Sequence, residues 1–132
     1  MAQSRYLKLI VAGSRDWPWR QYIFDALDHY TKNYPKEYIE IVDGGALGAD
    51  RCGRDWAIER GIKYKTMNAD WDGLGMRAGL ERNTQMAEYA NAAIVFWNGK
   101  STGSADMIRK ASMAGMRVVV INLLKITGEK QS

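Results

Sequence analysis

A short apolar run, Ile39-Glu40-Ile41-Val42, ends at Asp43 in the turn Gly44-Gly45-Ala46-Leu47-Gly48 and passes straight into a helical pattern. Apolar or small residues at helix period follow at Ala49, Cys52, Gly53, Trp56 and Ala57, and Gly61 stands where such a helix stops. A strand, a glycine turn and a helix start in that order gather backbone N–H groups and the positive end of a helix dipole at one point. That point suits a phosphate or a carboxylate. Glycine lets a ligand approach the main chain with no Cβ in the way. The same glycines equally suit a tight turn that binds nothing, so the remainder of the chain has to decide between the two.

The stretches on either side repeat the pattern. Tyr6 to Val11 reads as a mostly buried strand ending in Ala12-Gly13-Ser14-Arg15-Asp16. Pro18 suits a first helical turn with Asp16 near the cap, and Trp19, Tyr22, Ile23, Ala26, Leu27, Tyr30 and Tyr34 trace an amphipathic helix closed by Pro35. Lys63 to Ala69 reads as a weaker strand. Asn68 to Gly79 follows as the longest irregular stretch, rich in Gly and Asp and a candidate cover for a ligand. Leu80 to Ala90 reads as a helix, Ala92 to Trp97 as a buried strand, and Asn98 to Ser104 as a second turn of glycines and hydroxyls. A helix with Ser104, Met107, Ile108, Ala111 and Gly115 on one face, a last strand from Arg117 to Leu123 and a loose polar tail complete the chain.

Strands alternating with helices specify a parallel sheet with right-handed crossovers. The expected fold is a single α/β domain over residues 1–132, Rossmann-like and three-layered (α/β/α), with a mostly parallel sheet of about five strands and a tail at 127–132. In such sheets ligands bind beyond the carboxyl ends of the strands, where strand order reverses. The turns at Gly13, Gly44 and Gly99 and the Asp70 loop all belong to that edge.

Composition narrows the classes. The chain has 132 residues with 46% hydrophobic and 26% charged content, that of an ordinary globular protein. One cysteine, Cys52, excludes an internal disulfide and fits a reducing compartment; no apolar run approaches a membrane span. A cytoplasmic protein with no membrane partner is the expectation. One Cys and one His cannot build a closed zinc site, so no metal and no cofactor are expected. His29 falls on the polar side of its helix. The net charge of +4 is scattered, which suits small anions and makes nucleic acid an unlikely partner.

The candidate ligand-binding residues are those the edge collects. Gly13, Ser14 and Arg15 follow the first strand; Gly44, Gly45, Gly48 and Asp50 belong to the second turn; Ser101, Thr102, Gly103 and Ser104 open a helix. Hydroxyls beside a helix start suit phosphate oxygens or ribose hydroxyls, or simply cap the helix. Arg82 and Asn83 share a helix face with Met86 and Ala90, so that face turns polar at the ligand edge, where a guanidinium grips a phosphate in two places. Trp17 and Trp71, beside Asp70, are candidates to stack on a base, to cap the core or to form a subunit contact; Trp97 lies on the same edge.

Taken together, Gly44 to Asp50, then Glu81-Arg82-Asn83 with Met86, then Gly103-Ser104 after an apolar strand resemble the SLOG superfamily. The nearest branch is that of the YspA, cpYpsA-related proteins, a resemblance that includes Gly13 to Asp16 and Asp70-Trp71 and runs from about Leu7 to Asn122. Relatives include the LOG phosphoribohydrolases, which cleave the N-glycosidic bond of nucleoside monophosphates, sensors of nucleotide-derived signals, and DprA-type binders of single-stranded DNA. The resemblance implies a nucleotide-type ligand and a homodimer. It places Glu81 and Arg82 on a catalytic segment of the LOG enzymes, with Asn83 in place of its lysine. The LOG signature Pro-Gly-Gly-x-Gly-Thr-x-x-Glu is not kept: Gly99, Lys100 and Ser101 replace its first residues, and Met107 stands at the catalytic glutamate. Asp106 is one residue away, about 100° around a helix. Asp50, Asp70 and Asp72 are the other carboxylates on the edge.

The expected function is therefore binding or sensing of a nucleotide or nucleotide-derived ligand. The alternatives are a nucleotide hydrolase using Arg82, Glu81 and Asp106, and a single-stranded DNA binder.

Overall fold

The computed structural model describes residues 6–126, apart from the side chains of Trp71 and Met76. The tail at 127–132 and a role for the Trp71 ring lie outside what is described. The elements alternate as the sequence dictates: β1 (Leu7–Gly13), α1 (Arg20–Thr31), β2 (Ile39–Asp43), α2 (Ala49–Arg60), β3 (Lys63–Thr66), α3 (Trp71–Leu74), α4 (Ala78–Tyr89), β4 (Ala92–Trp97), α5 (Thr102–Met113) and β5 (Arg117–Asn122). The five strands form one sheet in the order β3-β2-β1-β4-β5, and every pairing is parallel. This is a Rossmann-like α/β architecture.

The continuous apolar character of the strands follows from cover on both faces. Leu7, Leu9 and Val11 of β1 pack with Ile23 and Leu27 of α1 and Trp56 of α2. Their neighbours Ile10 and Ala12 point the other way, against Met86 of α4 and Met107 and Ala111 of α5. Three layers result. The outer strands differ in character: β3 is Lys63-Tyr64-Lys65-Thr66, and β5 is Arg117 followed by three valines, Ile121 and Asn122.

Boundaries depart from the sequence reading where side chains intervene. α1 begins at Arg20 rather than at Pro18, because Trp19 holds an extended conformation at its N-cap; no side chain caps it, and Asp16 bonds instead to the Asn98 side chain. α1 ends at Thr31, whose hydroxyl donates back to the Leu27 carbonyl at 2.6 Å. β3 stops at Thr66 rather than Ala69, where the Met67 N–H donates to the Asp43 carbonyl and the chain leaves the sheet. The stretch read as irregular holds α3, whose turn Asp70 closes by accepting from the Gly73 N–H at 3.0 Å. Gly61 ends α2 in the left-handed conformation that the sequence asks of it.

Candidate functional site

Strand order reverses between β1 and β4, and a cleft of about 600 Å³ opens there beyond their carboxyl ends. Its walls come from the turns after β1, β2 and β4 and from the starts of α4 and α5.

The β2–α2 turn is shaped by contacts that exclude a Cβ. Gly48 has φ +82°, and a Cβ there would lie 2.5 Å from the Ser14 carbonyl oxygen. A Cβ on Gly44 would lie 2.2 Å from Nη1 of Arg82 and 2.8 Å from Oδ2 of Asp50. A side chain at 44 would have to displace the guanidinium and the carboxylate that occupy that space. Nη1 of Arg82 donates to the Gly44 carbonyl and Nε donates to Oδ1 of Asn83 at 3.1 Å, so the arginine straps α4 to the turn.

Two of the glycine amides of this turn already have partners within the chain. The Gly44 N–H donates to Asp50 Oδ2 at 2.8 Å, and the Gly45 N–H to Asp43 Oδ1 at 2.9 Å. Two carboxylates that bracket the turn reach its donors first. Asp43 also accepts from the Thr66 hydroxyl at 3.0 Å, and burial raises its pKa. Asp50 is 4% exposed and lines the cleft. Burial pushes its carboxyl up to about 7, against the opposing pull of the Arg82 charge and the Gly44 amide.

The start of α5 forms the opposite wall of the cleft. Asn98 closes the turn after β4: its Oδ1 accepts from the N–H groups of Lys100 and Ser101, each at 2.8 Å, and its own N–H donates to the Ser14 hydroxyl at 3.0 Å. Ser101 caps the helix, its hydroxyl accepting from the Ser104 N–H at 3.3 Å. Trp97 Nε1 holds the Ser101 carbonyl at 3.0 Å. Beyond its chain neighbours and its own helix backbone, nothing lies within 4 Å of the place a Cβ would take on Gly103. The first turn of a twelve-residue helix thus faces open space beside Thr102 and Ser104.

Asn83 braces this end from α4. Its Nδ2 donates to the Gly103 carbonyl and to Asp106 Oδ2, both at 3.1 Å. Asp106 is also paired with Lys110 and Arg109 at 2.9 Å. Burial tends to raise its pKa, but these hydrogen bonds outweigh it and hold the carboxyl below its ordinary value.

Of the candidates from sequence, Gly13, Ser14, Arg15, Asp50, Arg82, Asn83, Ser101, Thr102, Gly103 and Ser104 line the cleft together. Gly44, Gly45 and Gly48 build the turn behind Asp50 and do not line it. Trp17 is 7% exposed, its ring 5.4 Å from that of Phe96 and its indole N–H on the Trp19 carbonyl. The core takes that ring, not the cleft. Asp70 caps its own short helix, exposed Glu81 stands outside the lining, and Asp106 is absorbed in its ion pairs. Asp16, Ala46, Leu80, Met86, Asn98 and Met107 line the cleft without having been singled out as binding residues. An Asn-Gly pair directly after a buried strand was the available signal for Asn98. Among the described residues no group of three or more His, Cys, Asp or Glu gathers to hold a metal.

A sequence model of the YspA, cpYpsA-related SLOG family matches residues 7–73, which carry β1 through the Asp70 loop. The chain is 32% identical over 120 residues to the Gene 61 protein of Mycobacterium phage D29, covering 85% of this chain and 94% of that one. Among solved structures, DNA processing protein A (DprA) from Streptococcus pneumoniae superposes with a TM-score of 0.69 at 18% identity, over 88% of this chain and 50% of that chain. The present chain thus spans half of that relative's length. DNA processing protein A from Helicobacter pylori, known for its single-stranded DNA binding mode, gives 0.68 at 20% identity, over 95% and 73%. At these identities the likeness is one of fold.

Proposed function

The chain belongs to the YspA, cpYpsA-related SLOG family, and from that premise we propose that it binds a nucleotide or nucleotide-derived ligand as a sensor or binding protein. The observation that carries the reading is the open first turn of α5, with Ser101, Thr102 and Ser104 around Gly103, inside a cleft at the strand-order switch. Helix-start amides and hydroxyls take the phosphate there. Arg15, exposed on the cleft wall, supplies the mobile countercharge. Arg82 serves chiefly as the strap that fixes the opposite wall.

The test is a melting-shift panel of nucleoside phosphates, NAD, ADP-ribose and cyclic nucleotides. A true ligand at about 100 times its dissociation constant adds about 2.7 kcal/mol. The Arg15→Ala variant, altered at an exposed position, keeps its own melting temperature and loses most of that shift. A flat response across the panel sinks the proposal.

One observation favours a second reading, hydrolysis of an N-glycosidic or phosphate bond. Asp50 is a cleft carboxyl with its pKa pushed up to about 7, a value suited to general acid–base work. It would take the role that Met107, 1% exposed, cannot fill. Chromatography after long incubation decides: free base or ribose phosphate, lost in Asp50→Asn, supports the enzyme, and intact ligand removes it.

The homodimer implied by the family resemblance is part of the same proposal. The edge strand β5, with Val120 42% exposed, offers a pairing surface for a second copy. Sedimentation reporting a monomer at tens of micromolar would exclude it.

A further inference from the structure

The cleft combines apolar contact with amide side chains that already have partners. Its floor includes Met86 and Met107, each 1% exposed. On the α4 wall stands Leu80, 46% exposed although it lines the cleft. Its backbone is fixed: the Leu80 carbonyl accepts from Lys110 Nζ at 2.6 Å and from the Thr84 hydroxyl at 3.1 Å. A large aliphatic side chain held beside a concave polar site supplies the apolar contact such sites use to hold the flat part of a ligand.

Proteins tell base edges apart largely through amide side chains, whose paired donor and acceptor match one base and not another. Both amides lining this cleft are committed. Asn83 donates from Nδ2 to the Gly103 carbonyl and Asp106 and accepts at Oδ1 from Arg82. Asn98 accepts at Oδ1 from the N–H groups of Lys100 and Ser101 and donates one Nδ2 hydrogen to Asp16. Turning either amide toward a base would unpin the start of α5. Arg15 and Asp16 are exposed, where water competes for each hydrogen bond and leaves little net discrimination. The Trp17 ring belongs to the core, and the Trp97 indole N–H is bound to Ser101.

Resting on the nucleotide-binding reading above, we infer that the site holds the base through apolar contact with Leu80 and does not discriminate one base from another. Its ligands are nucleoside phosphates sorted by phosphate and sugar.

Calorimetric titration of the full chain with adenosine, guanosine, cytidine and uridine monophosphates and with ribose 5-phosphate tests this. The four monophosphates bind within about threefold of one another and about fivefold or more tighter than ribose 5-phosphate, the worth of one partly buried aliphatic contact. Leu80→Ala removes most of that gap and leaves ribose 5-phosphate within about twofold of its original affinity. A preference of about tenfold or more for one base overturns the inference while leaving nucleotide binding intact. Equal weakening of ribose 5-phosphate by Leu80→Ala overturns it too. Failure of every phosphate to bind removes the nucleotide-binding reading itself, and this inference with it.

Discussion

Replacing Asp50 by Asn probes the most perturbed carboxyl in the cleft. Asn keeps an oxygen to accept from the Gly44 N–H and removes the charge that burial disfavours. The Asp50 pKa rises from 3.8 in the unfolded reference to about 7 in the folded protein. Between those values the folded state holds a proton that the unfolded chain has released, so wild-type stability falls as pH rises and levels off above about 7. At about 1.4 kcal/mol per pKa unit the full penalty is a few kcal/mol, and more than half of it accrues between pH 5 and pH 8. Urea unfolding of both proteins at those pH values, followed by tryptophan fluorescence, gives the numbers directly. Asp43, also raised, and Asp106, lowered, are present in both proteins and largely cancel in the difference. The Asp50→Asn variant is expected to gain on wild type by about 2–3 kcal/mol from pH 5 to pH 8. Parallel pH profiles would show that Asp50 is ionised at no cost and refute the reasoning.

Other substitutions test the parts around it. Gly44→Ala places a Cβ 2.2 Å from Arg82 Nη1 and displaces the strap, costing about 1.5–3 kcal/mol for a charged hydrogen bond; a urea-derived loss under about 0.5 kcal/mol would contradict it. Arg82→Lys loses the fork that reaches Gly44 and Asn83 together, and its unfolding free energy should fall by about 1–2 kcal/mol despite the retained charge. Ser101→Ala removes the cap of α5 for about 1 kcal/mol and should weaken phosphate-ligand binding in the same titrations; unchanged stability and affinity would count against the helix start as the anion site.

The architecture was legible because periodicity and punctuation agree. The bounds of β4 and the stop at Gly61 follow from runs and breakers that need no tertiary information. The cleft wall at Ser101 to Ser104 was legible for the same reason, a hydroxyl-rich helix start after a buried strand. Harder to read was who takes which donor. Gly44 and Gly45 carry the signature of an anion-binding turn, but Asp50 and Asp43 fold back onto their amides, and glycine spacing does not encode that. Trp17 looks like an exposed indole in sequence because its flanks are polar, whereas Phe96, almost 80 residues away, makes its site part of the core. Leu80 gives no sign of a ligand contact because an apolar residue at helix period reads as core until its exposure is seen.

The guanidinium of Arg82 reaches back 38 residues to hold the Gly44 carbonyl. The matched family segment, residues 7–73, therefore contains the glycine signature but not the arginine that locks it. A fragment cut after the Asp70 loop would keep the recognisable motif and lose the arginine's hold on it. Only synthesis through α4 lets the two distant pieces of chain meet.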